Sequence, residues 1–305
     1  MKNILVLGGT GFVGRQLCEQ LDRTGWRATV PTREPARGAL LQHLSGVTVM
    51  EADVHDAGTL ARLVPGHDAV VNLVAILHGN AAAFERAHVE LPRKLALACL
   101  QGGVTRLVHV SALGADVAGP SRYQRSKAQG EAALIEAGLD LTLLRPSVIF
   151  GAEDRFLNLF ARLQRLFPIM PLAGAHARFQ PVWVNDVARA IILSLERHTR
   201  ADSEHTEIIE CVGPDVLTLA DLVRLAGRHG SRQRPVLPLY MPLGRLQALM
   251  MELAPGETLM SRDNLDSMRV DNVASGRHPD LRSLGIAPAS VLTVAPAYLG
   301  RRQER

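Results

Sequence analysis

The stretch KNILVLGGTGFVG, residues 2–14, decides the fold. An apolar run from Lys2 to Leu7 ends in Gly8-x-x-Gly11-x-x-Gly14, and a helical pattern opens at once. Leu17, Cys18 and Leu21 share one side of that helix, and Gly25 stops it. Strand, glycine turn and helix in this order suit a dinucleotide. The first glycine makes the tight turn, the second lets a diphosphate approach the backbone, and the third lets helix and strand pack closely. The helix N-terminus then offers free N–H groups and a partial positive charge to the phosphates. Glycines alone would serve any tight turn, but here the surrounding pattern accompanies them. Gly8, Thr10, Gly11, Phe12, Val13 and Gly14 are therefore expected to line a cofactor.

Further strand-like runs follow. Arg27 to Thr32 is the second, and Val47 to Met50 is the third, closing on Asp53. Ala69 to Leu77 and Leu107 to Ser111 come next, and Leu139 to Leu144 leads into RPSVIFG. Helical stretches such as Glu85 to Leu100 and Tyr123 to Ala137 separate them. Continuous apolar strands alternating with helices predict an α/β fold with a doubly wound parallel sheet. After Gly151, Phe156, Leu159, Phe160, Leu163, Leu166 and Phe167 recur at helical spacing until Pro168, Pro171 and Gly174 break the pattern. Gln180 to Val184 reads as a strand, Asp186 to Leu195 as a helix capped by Asn185 and Asp186, and Glu207 to Val212 as a strand. The expected organisation is a dinucleotide-binding domain over 1–150 and a smaller, mostly helical substrate or lid lobe over 151–305. Within the latter, roughly 180–212 returns to the first domain. No internal repeat or low-complexity segment is present.

With 305 residues, 47% of them hydrophobic, the chain can bury one large core or two smaller ones. The net charge of +4 is small, the aromatic content is 4%, and the arginines are scattered apart from the tail RRQER. That balance argues against nucleic-acid binding and leaves weak attraction to an anionic membrane surface open. Cys18, Cys99 and Cys211 lie far apart, and the eleven histidines show no ligand spacing. Buried thiols and no metal site are expected. The first strand begins at the N-terminus, which predicts no leader peptide, and no run of about 18 apolar residues predicts a membrane span. The expectation is a bacterial-type cytoplasmic protein, with peripheral contact to the inner membrane left open.

The end of the second strand selects the cofactor. A carboxylate there usually accepts the ribose hydroxyls of NAD. Here the position holds Thr32, then Arg33, whose guanidinium suits a 2′-phosphate. Glu34 lies beyond and is expected to face solvent, so NADP(H) is favoured and NAD(H) remains the alternative. Arg15 and Arg37 read as ordinary exposed arginines. Asp53 and Val54 follow the third strand, where a carboxylate meets adenine or caps a turn. Val74, Ala75 and Ile76 end the fourth strand beneath the cofactor.

SRYQRSKAQGE, residues 121–131, places Tyr123 four residues before Lys127. With three tyrosines and three lysines in the chain, this spacing arises by chance in roughly 3% of such sequences. The pair opens the helix after the fifth strand, and Ser111 ends that strand. Residues four apart share a helical face. A lysine there is expected to lower the phenol's pKa, so that Tyr123 exchanges a proton with a carbonyl or hydroxyl while Ser111 holds the same oxygen. Lys127 also has donors for a nicotinamide ribose.

These residues resemble the short-chain dehydrogenase/reductase superfamily, in its extended or atypical branch. The likeness rests on G-x-x-G-x-x-G, Asp53, Ser111, Tyr123-x-x-x-Lys127 and RPSVIFG. GGTGFVGR, SRYQRSKAQGE, RPSVIFGAEDRFLNLFA and QPVWVNDVARAI look closer to one group, the nucleotide-binding accessory subunit of respiratory complex I and its bacterial relatives. The resemblance implies Ser111, Tyr123 and Lys127 as catalytic set, and Pro146, Val148 and Lys127 as further cofactor contacts. It also implies an NAD(P)-dependent oxidoreductase or epimerase-like protein, and a possible respiratory-complex partner. In the mitochondrial subunit the bound NADPH is regarded as mainly structural.

Arg234 to Pro255 is rich in proline, leucine and methionine, a poor regular helix and a good apolar lid. It suits a lipophilic, quinone- or isoprenoid-like substrate, a membrane, a partner, or simple packing over the sheet. Three readings stand: an NADP(H)-dependent oxidoreductase on such a substrate, a non-catalytic NADPH-binding assembly factor of a respiratory or quinone-biosynthetic complex, and a sugar-nucleotide epimerase or dehydratase. Arg178, Arg245 and Arg262 are available to a second diphosphate. Oligomeric state is not legible.

Overall fold

The computed structural model describes residues 2–197, 205–230, 232–253 and 260–300; the tail 301–305 and Pro255 lie outside them. The chain begins β1 (Asn3–Leu7), α1 (Phe12–Arg23), β2 (Arg27–Thr32), α2 (Pro35–Gly38), β3 (Val47–Glu51), α3 (Ala57–Leu63) and β4 (Ala69–Asn72). It continues α4 (Ala81–Glu85), α5 (Leu91–Gly102), β5 (Arg106–Val110), α6 (Arg122–Ile135) and β6 (Asp140–Pro146). Then come β7 (Ile149–Phe150), α7 (Leu157–Leu166), β8 (Met170–Ala173), β9 (Arg178–Phe179), β10 (Val182–Trp183), α8 (Val184–Glu196) and β11 (Thr206–Cys211). The remainder is β12 (Leu217–Thr218), α9 (Leu219–His229), β13 (Val236–Leu239), α10 (Met241–Leu253), α11 (Arg262–Ser267) and α12 (Val291–Leu299).

Seven strands form one parallel sheet in the order β11-β6-β5-β4-β1-β2-β3. The doubly wound α/β fold expected from the sequence is the fold observed. Burial on both faces explains the unbroken apolar strands. Ile4 and Val6 join Leu17, Leu21 and Ile191 in one cluster, while Leu5 and Leu7 join Leu60, Leu91 and Leu95 in another. The strand order reverses between β1 and β4, which opens a crevice at their carboxyl ends.

A second core gathers Phe150, Leu157, Phe160, Leu222, Val223 and Val291 from α7, α9, α12 and the adjoining chain. Asp154, in the EDRFLN run, organises its entry. Its buried carboxylate accepts the N–H groups of Gly151, Phe156 and Leu157 and the hydroxyl of Tyr298.

Two local expectations are corrected. Neither Asn185 nor Asp186 caps α8, which already begins at Val184; the Asp186 carboxylate instead accepts the N–H of Ala289 at 2.8 Å. Residues 241–253 form a regular helix despite the prolines nearby. Pro242 sits in the first turn, where its missing N–H costs nothing, and Pro235 and Pro238 precede the helix.

Candidate active site and cofactor crevice

The glycine turn leaves room for a phosphate. Gly8 has φ +80°, and a Cβ there would come within 3.1 Å of the Leu73 backbone. A Cβ on Gly14 would lie 2.5 Å from Gly8 O and Gly9 Cα. Gly11 caps α1 without a side-chain hydrogen bond, and the first turn carries no acid. The N–H groups of that turn keep their capacity for an anion. Thr10, Phe12 and Val13 remain partly exposed beside it, with Phe12 against Gly151. These features fit the diphosphate of a dinucleotide.

Toward β2 and β3 the crevice is basic. Thr32 is buried and its hydroxyl is engaged by the backbone of Glu34. Arg33 is exposed, and among the described residues it forms no ion pair. Glu34 instead pairs with Arg37 at 2.7 Å. Asp53 accepts the His55 N–H at 3.0 Å, which makes it a turn residue, and its other oxygen lies 3.9 Å from Arg86. Val54 is buried beside it. His55 is held below its ordinary pKa by burial, then by the charges of Arg86, Arg33 and Lys94, against the pull of Asp53.

At the other end, Lys127 is fully buried and its Nζ donates to Val110 O at 2.9 Å. That bond seats α6 against the end of β5. The next residue, Ser111, is buried, and its Oγ has no hydrogen-bond partner. A buried hydroxyl without a partner is costly in a finished core and is what a substrate oxygen would satisfy. Tyr123 lies one turn before Lys127. Its ring stands edge-on to His88 at 5.5 Å and to Phe84 at 6.3 Å. His88 in turn accepts the Ile76 N–H at 3.1 Å and meets Ser126 Oγ at 2.8 Å. Ser126 Oγ donates to Tyr123 O. Ile76, His88, Ser126 and Tyr123 therefore form one connected group, with Lys127 one turn further along α6 and Ser111 next to its acceptor Val110. Val74 is fixed by Asn72 Oδ1 at 3.1 Å, and Ala75 after it is exposed. Pro146 and Val148 flank the group, Pro146 O accepting the Leu113 N–H and the Val148 N–H donating to Asn272 Oδ1. Thr32, Arg33, Asp53 and Val54 are not part of this group and belong to the opposite end of the crevice.

The electrostatics differ from expectation in one respect. Burial pushes the Tyr123 phenol up to about 12, rather than Lys127 pulling it down. Burial also lowers Lys127 to about 8, against the opposing carboxylate of Glu131. The reason is geometric: the ammonium is directed to Val110 O. His88 falls to about 3, through burial first and the Lys127 charge second, so its imidazole is neutral.

Several supporting residues were not legible in the sequence. Glu131 continues the face of Tyr123 and Lys127 and pairs twice with Arg145, at 2.9 and 2.5 Å. Asp263 reaches from α11 to the start of α6, accepting the N–H groups of Arg122 at 2.7 Å and Tyr123 at 3.0 Å. Asn272 bridges Ser147, Val148 and Leu113. One signal was readable: S-x-x-Q in SRYQ is a capping box, and Ser121 and Gln124 form it.

Comparison with known proteins supplies the family. The model of the NAD dependent epimerase/dehydratase family matches residues 4–209. Subunit 9 of the 1 alpha subcomplex of mitochondrial NADH dehydrogenase [ubiquinone] from Arabidopsis thaliana is 30% identical over 298 residues, covering 93% of this chain and 73% of the relative. A protein of Caulobacter vibrioides named ceramide reductase is 29% identical over 191 residues, covering 62% of this chain and 59% of the relative. Among solved structures, the dTDP-glucose 4,6-dehydratase of Streptomyces venezuelae with NAD bound superposes with a TM-score of 0.74 at 22% identity, covering 99% of this chain and 97% of that one. With its glycine cradle, parallel sheet and matched 4–209 segment, the chain belongs to the NAD dependent epimerase/dehydratase family of NAD(P)-binding proteins.

Proposed function

We propose that the protein is an NADP(H)-dependent oxidoreductase that reduces a lipophilic ketone to its alcohol. The observation that carries this reading is the Lys127–Val110 bond beside the partnerless hydroxyl of Ser111. It brings a proton donor, a cation and a free hydrogen-bonding group to the carboxyl end of β5. Ser111 Oγ holds the carbonyl oxygen. Tyr123 delivers its proton to that oxygen and is reprotonated from solvent. A phenol raised to about 12 keeps its proton until substrate arrives, which suits the reducing direction. Lys127 holds the nicotinamide ribose and offsets charge developing on Tyr123. When bound, the nicotinamide supplies the hydride that adds to the carbonyl carbon.

NADP(H) is favoured over NAD(H) because Arg33 keeps its guanidinium unpaired among basic neighbours, while Glu34 is held by Arg37. A lipophilic substrate is supported by the relative named ceramide reductase. A second reading, a non-catalytic NADPH-binding factor of a respiratory complex, draws on the length shared with the mitochondrial subunits. Catalysis and assembly separate in one assay: NADPH consumption by the purified protein with long-chain ketones, quinones and nucleotide sugars. The oxidoreductase reading expects consumption with a long-chain ketone or quinone. NADPH that binds but is consumed by none of these leaves the assembly reading. Co-purification of NAD in place of NADP would overturn the cofactor choice.

A further inference from the structure

Helix α10 is built inside out. Its packed side carries the small residues Gly244 and Ala248, both buried. Gly244 lies so close to Ala173 of β8 that no side chain fits between them. Leu243, Leu246, Met250 and Leu253 follow at spacings of three, four and three, and each is more than half exposed. That spacing places them along one helical face. A solvated helix of a finished globular surface carries polar residues there.

The apolar surface continues into neighbouring chain. Tyr240, immediately before α10, is 85% exposed. Leu237 of β13 is exposed, and β13 pairs with β8, which leads back to exposed Ile169 and Phe167. An apolar tract of this length marks an interaction surface.

Charge indicates what covers it. The described acids of α10 and α11 are each engaged: Glu252 with Arg262, Asp266 with Arg245, and Asp263 with the start of α6. Arg162 and Arg165 of α7 are exposed, and among the described residues they form no ion pair. Arg234 lies alongside them, its backbone N–H and Nε donating to Gln164 of the same helix. Unpaired arginines thus flank the tract at its α7 end, while Glu252 and Asp266 beside it are each paired with an arginine. An apolar helix face with a tyrosine at its start and arginines at its margin fits the boundary between lipid headgroups and acyl chains.

We infer that the outer face of α10, with Tyr240 and the β8–β13 edge, docks on the surface of an anionic phospholipid bilayer. The inference is independent of catalysis at Tyr123, because it rests on residues remote in role from that site.

The test is co-sedimentation of the full chain with vesicles of phosphatidylcholine alone and of phosphatidylcholine mixed with phosphatidylglycerol. Leu246→Glu/Met250→Glu changes only exposed positions, and Arg162→Glu/Arg165→Glu removes the marginal charge. Retained NADPH binding and an unchanged melting curve show that each variant is folded. The wild type is expected to bind the mixed vesicles at least tenfold better than the neutral ones, and either double variant to lose at least tenfold in affinity for the mixed vesicles. Wild-type protein that stays in the supernatant, or a Leu246→Glu/Met250→Glu variant that binds as wild type, overturns the inference. A wild-type dimer that becomes monomeric in the Leu246→Glu/Met250→Glu variant, with no vesicle binding, would assign the face to a second copy of the chain instead.

Discussion

At the scale of single residues, the site depends on groups whose neighbours are distant in sequence. His88 carries a neutral imidazole that joins Ile76 to Ser126 and walls one edge of Tyr123. His88→Ala leaves the Ile76 N–H and Ser126 hydroxyl without that partner. It is expected to cost about 1–3 kcal/mol in urea unfolding and to lower kcat more than NADPH affinity. Lys127 gives a second prediction. Its folded pKa of about 8 lies below the ordinary 10.5. The unfolded chain therefore binds more protons between those values, and Lys127 makes stability climb with pH across that window. The climb is on the order of 3 kcal/mol. Lys127→Met is expected to remove that climb, measured by denaturant unfolding from pH 8 to 10.5; an unaltered slope would contradict the buried ammonium. Lys127 was legible because lysine is so rare in this chain. His88 was not, because its partners Ile76 and Ser126 lie 12 and 38 residues away, and nothing in a local window marks it.

At the scale of elements, α6 is held twice at its start. The Ser121–Gln124 capping box and the carboxylate of Asp263 satisfy N–H groups at its start. Asp263→Ala should cost about 1 kcal/mol, as loss of a cap does, and should slow turnover because Tyr123 loses its backbone anchor. Asp263→Asn keeps an acceptor and is expected to fall between Ala and wild type, by urea midpoint and kcat together. One turn after Lys127, Gly130 meets the carbonyl of His88 so closely that a Cβ would overlap it. Gly130→Ala should cost about 1–3 kcal/mol, read from the same unfolding curves. The start of α6 was readable from S-x-x-Q. The clamp from α11 was not, since 140 residues separate Asp263 from Tyr123. The regularity of α10 was obscured by prolines that fall in its first turn and before it, where they do no harm.

At the scale of the whole molecule, the parallel sheet was readable because its central strands β1, β4 and β5 are buried on both faces and Gly8, Gly11 and Gly14 each have backbone against them. The edges of the site were less readable, because they are made by α11 and the chain around Asn272, far along the sequence. Asn272 and Asp263 both act there across long stretches of chain. The fold brings Arg33 at the end of β2 and the Ser111, Tyr123 and Lys127 set at the end of β5 and the start of α6 to the two ends of one crevice. The account stands on Tyr123 acting in turnover and not in holding the cofactor. The most direct measurement is Tyr123→Phe, assayed for NADPH affinity and for the rate of NADPH consumption with the substrate on which the wild type is active. The account predicts unchanged affinity and a rate reduced by about a hundredfold or more. A variant that keeps the wild-type rate, or loses NADPH and rate in equal measure, would contradict it.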